Sequence, residues 1–288
     1  MATSQHASST LHGLHLLDDI LCGVDGTRSA YVAVRQAAQL AAPDGRLTLL
    51  AATGLGGGSG HQLGAALAPA RAQRALTHAR VIARREGVEA IVEADGTGPV
   101  ADVLLEHAAE HALLAVGPPS MSRLAHLILG GTATVAAHML PASLLVARRP
   151  PARGRFAERI IVASDAMAHS DSLVDFATAL AAARGASLVV LHAAGAERAH
   201  QPVRIEGQAR RVRDALGDRA TVRVEAGHPY ATITAVADVE RPSLLIVGSR
   251  RIGGVGALGS VSERLVHEAP CSVLVLRPED LRRPEDSR

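Results

Sequence analysis

ILCGVDGTRSAYVAVRQAAQLA (residues 20–41) and IIVASDAMAHSDSLVDFATALA (160–181) lie over each other without a gap, with Asp25 on Asp165, Ala37 on Ala177 and Leu40 on Leu180. Each reads as a branched apolar strand, a polar turn and an amphipathic helix. A second pair sits further along: HMLPASLLVARRP (138–150) matches HEAPCSVLVLRPE (267–279), setting His138, Pro141 and Val146 over His267, Pro270 and Val275. Self-similarity on this scale is the mark of a duplicated unit. The 288 residues are enough for two domains, each able to bury a core.

Between these anchors, apolar runs of strand length alternate with helix-length stretches, the pattern of a parallel sheet covered by helices. Strands are expected near 20–24, 47–52, 88–93, 112–116 and 143–148, and again near 159–164, 187–192, 220–225, 243–247 and 272–277. Pro99 and Pro229 stand where a first helical residue needs no N–H of its own. Each half is therefore expected to hold five strands and four helices. The domains are placed at 17–149 and 157–278, joined by RRPPARGR (148–155), whose prolines and arginines favour an extended, solvated linker. GLGGGSGHQLG (54–64) predicts a mobile loop before a long helix.

Composition narrows the function. Hydrophobic residues make up 48% of the chain, yet no apolar run approaches bilayer length, so no membrane association is expected. The N-terminus has neither the basic start nor the apolar stretch of a secretory signal, and a cytoplasmic location follows as the expectation. Cys22 and Cys271 each sit in a strand-like run and read as core residues in a reducing compartment. The formal charge is only +2 and the chain has two Phe, two Tyr and no Trp, which argues against nucleic-acid binding: both a basic patch and stacking rings are wanting.

Ligands of open parallel sheets bind beyond the carboxyl ends of the strands, where the strand order reverses. Here those places are the turns after the first and fourth strands of each half. The first turn carries Asp25 or Asp165 and no G-x-G-x-x-G, which excludes a dinucleotide site of the dehydrogenase type. Such an aspartate can accept from a ribose hydroxyl or a base amine, and it is equally at home as a turn or cap residue. After the fourth strand of the second half comes IVGSRRIGGVGALGSVSERL (246–265), where Gly248, Gly259 and Ser260 offer unblocked main-chain N–H groups just ahead of a helix. That combination suits an anion. The same residues also satisfy a plain loop, with Ser260 and Glu263 as a capping box.

These stretches resemble the universal stress proteins, many of which hold ATP in a loop written G-x2-G-x9-G-(S/T). The resemblance covers both halves and rests on ILCGVDG, on LLAVGPPSMSRLAHLILGGTATV and above all on LLIVGSRRIGGVGALGSVSERLVHEAPCSVLVLR. It implies an α/β chain of two tandem Rossmann-like domains that binds an adenine nucleotide, ATP with Mg as its companion, and responds to it as a stress regulator without catalysis. In the second half the site implied is Asp165, Gly248, Arg251, Gly259, Ser260, Val261 and Ser262. There Arg251 replaces the second glycine and the loop is two residues short, and Arg250 and Arg251 can reach phosphate themselves. In the first half the site is Asp25, Gly117, Ser120, Gly130, Gly131 and Thr132: Ser120 replaces the second glycine and Gly131 the Ser/Thr, with Thr132 as a substitute. Pro118 and Pro119 have no N–H to give a phosphate, so this copy is the weaker. The alternative is an interaction or scaffold protein of the same fold whose degenerate loops hold no nucleotide, with a protein partner that the sequence does not specify.

Two further expectations follow. His107, Glu110 and His111 spell the H-x-x-E-H of some zinc peptidases, but on the outer face of a helix and without a third ligand they read as solvated surface. The last strand of each half is apolar at nearly every position, a hazard at an open edge. The resemblance implies that such strands join two domains about a twofold axis. Leu144–Ala147 is thus expected antiparallel to Val273–Leu276, making the chain an intrachain pseudo-dimer, with homodimerisation of the whole chain also open.

Overall fold

The computed structural model describes residues 14–53, 67–95, 100–118, 141–149, 155–194, 202–252, 255–257 and 260–281. It resolves into two compact units, one built on residues 16–148 with 251–258 and the other on residues 149–250 and 259–288.

In the first unit the strands are β1 (Asp19–Gly23), β2 (Arg46–Ala52), β3 (Ile91–Asp95), β4 (Leu113–Val116) and β5 (Ser143–Val146), and the helices are α1 (Arg28–Leu40), α2 (Pro69–Arg85) and α3 (Val100–Ala108). Strand order is β3-β2-β1-β4-β5, with every pairing parallel. The order reverses between β1 and β4, which opens a crevice at their carboxyl ends. Four of the five residues of β1 and all of β4 and β5 are buried. That explains their unbroken apolar runs, since helices cover a parallel sheet on both faces. The helices fit by small residues at helical spacing: α1 buries Ala30, Ala33, Val34, Ala37 and Ala38, and α2 buries Ala72, Ala75, Leu76, Ala79 and Ile82. Pro69 opens α2 where its missing N–H costs nothing.

The second unit repeats the plan. Its strands are β6 (Arg159–Ser164), β7 (Ser187–Ala194), β8 (Ala220–Ala226), β9 (Leu244–Gly248) and β12 (Ser272–Leu276); between β9 and β12 in sequence run the short β10 (Arg250–Ile252) and β11 (Val255–Ala257), whose residues from Arg251 on fall outside this unit. Its helices are α4 (His169–Arg184), α5 (Pro202–Leu216), α6 (Pro229–Glu240) and α7 (Ser260–Glu268). Strand order is β8-β7-β6-β9-β12, again all parallel. Gly185, left-handed at φ 63°, ends α4 and lets its N–H reach back to Ala181 and Ala182. Pro229 opens α6 as the sequence predicts.

Three expectations need correction. The third strand, expected at 88–93, begins at Ile91, because Gly87 at φ 86° and a Val88 N–H bonded to Ala83 O spend these residues on closing α2. The helix carrying His107 stops at Ala108, so Glu110 and His111 lie in the turn beyond it. The glycine-rich stretch of the second half is not wholly irregular: β10 and β11 pair as a two-stranded sheet. Pro99, the 54–64 loop and most of the 148–155 linker lie outside the described residues. Among the described residues no helix is long and apolar enough to cross a membrane.

Candidate functional site

The crevice of the second unit is set by the ends of β6 and β9, which are neighbours in register, Val162 beside Ile246. β6 stops at Ser164 and the chain turns sharply, with Ala166 in the left-handed region at φ 57°. Ser164 Oγ accepts from Ala166 N at 3.1 Å, and Asp165 Oδ1 accepts from Met167 N at 3.0 Å and from Ser170 Oγ at 2.5 Å. Asp165 is thus a turn-forming residue in its own right. Its other oxygen, Oδ2, lies 3.2 Å from His169 Nε2, on a side chain 26% exposed.

On the β9 side, Ser262 Oγ donates to the carbonyl of Gly248 at 2.8 Å, and Ser249 N donates to Leu276 O. The first bond fastens the opening turn of α7 to the last residue of β9. The positive end of α7, with Ser260 and Val261 in its first turn, is thereby held at the carboxyl end of β9. Among the described residues, a Cβ at Gly248 would meet nothing nearer than Leu173 Cδ2 at 3.8 Å. Arg251 lies in β10, and Gly259 is outside the described residues.

The first unit differs at each point. Asp25 Oδ1 accepts from Thr27 N at 2.9 Å and from Thr27 Oγ1 at 2.6 Å, while Thr27 caps α1 by accepting from Ala30 N. Gly117 is packed against the start of α1: a Cβ there would fall 2.7 Å from Ser29 C and 2.9 Å from Ser29 O. This glycine is demanded by close packing of two backbones. Ser120, Gly130, Gly131 and Thr132 lie outside the described residues.

A buried polar relay in the second unit was not foreseen from the sequence. Ser164 Oγ donates to Gln208 Oε1 at 3.2 Å, Gln208 Nε2 donates to Asp171 Oδ1 at 2.8 Å, and Arg204 and Arg211 pair with the same carboxylate. Burial raises the Asp171 pKa, but the bonds from Gln208 and Arg211 and the charge of Arg204 outweigh it and leave the group below its ordinary value. A signal for the relay existed in the alignment of the two halves, where Ser164 stands over the apolar Val24. The H-x-x-E-H residues are otherwise engaged: His111 Nδ1 is 2.8 Å from His107 O, and His107 is 3.6 Å from Glu93. Among the described residues no group of His, Cys, Asp or Glu could hold a metal ion. Cys22 is fully buried and its thiol is pushed far up by that burial, consistent with an inert core residue.

Two α/β units with the same strand order, each with its polar turn after the first strand, define a tandem Rossmann-like protein class. The model of the universal stress protein family matches residues 17–148 and again 157–277, and the chain belongs to that family. A universal stress protein of Thermus aquaticus, described as lying in the QAH/OAS sulfhydrylase 3′ region, is 35% identical over 140 residues, which is 41% of this chain and 97% of that protein. Among solved structures, a universal stress protein from Archaeoglobus fulgidus DSM 4304 superposes with a TM-score of 0.70 at 16% identity, over 92% of this chain and 98% of that one. A putative universal stress protein from Pseudomonas aeruginosa UCBPP-PA14 gives 0.65 at 18% identity, over 93% and 96%. At those identities the two structures speak for the fold.

Proposed function

We propose that the second unit binds ATP, with Mg as its companion ion, and that the protein acts as a nucleotide-responsive regulator through binding and not through turnover. The observation that supports this most directly is the Ser262–Gly248 bond, which holds the positive end of α7 at the carboxyl end of β9, beside β6, the strand that leads into the Asp165 turn. Main-chain N–H groups around Gly259, Ser260 and Val261 would take the phosphates, and Asp165 would exchange a turn contact for a hydroxyl of the sugar. Family resemblance supplies the choice of ATP among anionic ligands. In the first unit Pro118 has no N–H to offer and Gly117 is filled by its contact with Ser29, so binding there is weaker.

One observation favours a second reading, a nucleotide-free interaction protein. The pairing of β10 with β11 turns main-chain groups of the glycine-rich stretch toward each other. Denaturing gently purified protein and identifying any released nucleotide separates the two readings. Released ATP supports the first; protein that carries none and shows no affinity for added ATP supports the second.

A further inference from the structure

Ala166 stands in the left-handed region at φ 57°, and its counterpart in the first unit is Gly26 at φ 78°. A glycine takes that conformation freely, whereas for an alanine it is disfavoured roughly tenfold. Such a residue keeps its conformation only where its surroundings hold it. Here the hold is Ser164, whose Oγ accepts from Ala166 N at 3.1 Å. Were residue 166 to leave the left-handed region, the peptide joining it to Met167 would turn, and the 3.0 Å bond from Met167 N to Asp165 Oδ1 would break with it. The place of the Asp165 carboxylate therefore depends on the backbone of the residue after it.

The Ser164 hydroxyl is itself aimed from outside the turn. Asp171, as a carboxylate, only accepts, so the Gln208 amide presents Nε2 to Asp171 Oδ1, at 2.8 Å, and Oε1 to Ser164. The single Ser164 proton then goes to Gln208 Oε1, at 3.2 Å, which leaves a lone pair for Ala166 N–H. The first unit has none of this. Val24 stands in place of Ser164 and Tyr31 in place of Asp171, and Ala75, as far from Pro69 as Gln208 is from Pro202, stands in place of Gln208. The correspondence is also spatial: a Cβ at Gly26 would lie 3.4 Å from Ala75 Cβ, and Tyr31 packs on His78 where Asp171 pairs with Arg211. The glycine turn goes without the relay, and the alanine turn goes with it.

We infer that Gln208 is a positioning residue of the second unit's ligand site: through Ser164 it keeps Ala166 left-handed and so sets where the Asp165 carboxylate is presented. This rests on the nucleotide reading above for what Asp165 meets, and on the relay alone for the conformation of the turn. Helix α5 thus contributes to the site by way of the turn.

The test uses the full chain labelled with ¹³C and ¹⁵N, with the φ of residue 166 read from its amide–Hα coupling and carbon shifts in the absence of any ligand. The wild-type residue should report a left-handed backbone. Gln208→Ala and Ser164→Val, which copy Ala75 and Val24 of the first unit, should each abolish that signature. Gln208→Ala should also weaken ATP about tenfold, the scale of the bias against a left-handed alanine, and leave inorganic tripolyphosphate, which has no sugar, unaffected. Adding Ala166→Gly should restore most of that affinity, because glycine adopts the turn without the relay; a variant that merely loosened the core would gain nothing from it. The inference is overturned if residue 166 stays left-handed in both relay variants, if Gln208→Ala weakens ATP and tripolyphosphate alike, or if Ala166→Gly restores nothing. A wild-type chain that binds no ATP defeats the nucleotide reading, and the ligand-free backbone signature still decides whether Gln208 positions the turn.

Discussion

Gly117 and Gly248 occupy the same place in the two copies of the loop pattern, yet the structure gives them opposite reasons for being glycine. A methyl at residue 117 would lie 2.7 Å from Ser29 C, 2.9 Å from Ser29 Cβ and 2.9 Å from Ser29 O, two of these being backbone atoms that no rotamer change can move aside. Overpacking of this kind costs about 1–3 kcal/mol. The lower chain entropy of an unfolded alanine returns about 0.4–1 kcal/mol. The net loss for Gly117→Ala is then about 1–2 kcal/mol, which in a unit of this size lowers Tm by roughly 3–10 °C. At residue 248 a methyl meets, among the described residues, only Leu173 Cδ2 at 3.8 Å, an ordinary contact, and the backbone there is not left-handed. Gly248→Ala should stay within about 0.5 kcal/mol of the parent. Thermal unfolding followed by circular dichroism compares the two variants directly, and any loss of ATP affinity in a stable Gly248→Ala protein reports on the ligand site alone. Equal stability of Gly117→Ala and the parent, or a large loss in Gly248→Ala, would refute the assignment of packing to one glycine and openness to the other.

Further outcomes follow from the second unit. Gln208, fully buried between Ser164 and Asp171, should cost about 1–3 kcal/mol as Gln208→Leu, since both partners lose their bond inside the protein; urea denaturation measures it. His192 titrates below its ordinary 6.5 in the folded chain, so the unfolded chain takes up its proton first as pH falls. Stability should therefore decline below about pH 6.5, and less steeply in His192→Ala, when denaturation midpoints are compared across pH. Asp165→Ala combined with Gly259→Val should remove most ATP binding; retention of most of it would make the first unit the stronger site.

The fold was legible in the sequence because its signals are local and doubled. Apolar runs of strand length, Pro229 at a helix start and the repeat of Asp25 at Asp165 each point to the same α/β plan. Where reading faltered, a non-local or finely balanced effect decided the matter. The start of β3 moved because the closing turn of α2 uses Gly87 and Val88, a matter of which main-chain bonds close first. The loop pattern singled out Gly117, but only the approach of Ser29 along a distant helix shows why glycine stands there. His192 and Gln208 escaped notice because no motif contains them, and Ser249 because it fills a position that the loop pattern leaves open; strand register and helix packing bring His192 and Gln208 to Ser164. The one trace of His192 and Ser249 in the sequence is substitution by Ala51 and Pro118 across the repeat, which carries meaning only once the strands are aligned in register.

The central claim is that the second unit is a nucleotide site, and calorimetric titration of the intact chain with ATP and Mg tests it most directly. The account predicts saturable binding dominated by a single site, weakened strongly by Gly259→Val and by Asp165→Ala in proteins that unfold like the parent. Wild-type protein that binds nothing at millimolar ATP, or binding that survives both substitutions undiminished, would contradict it.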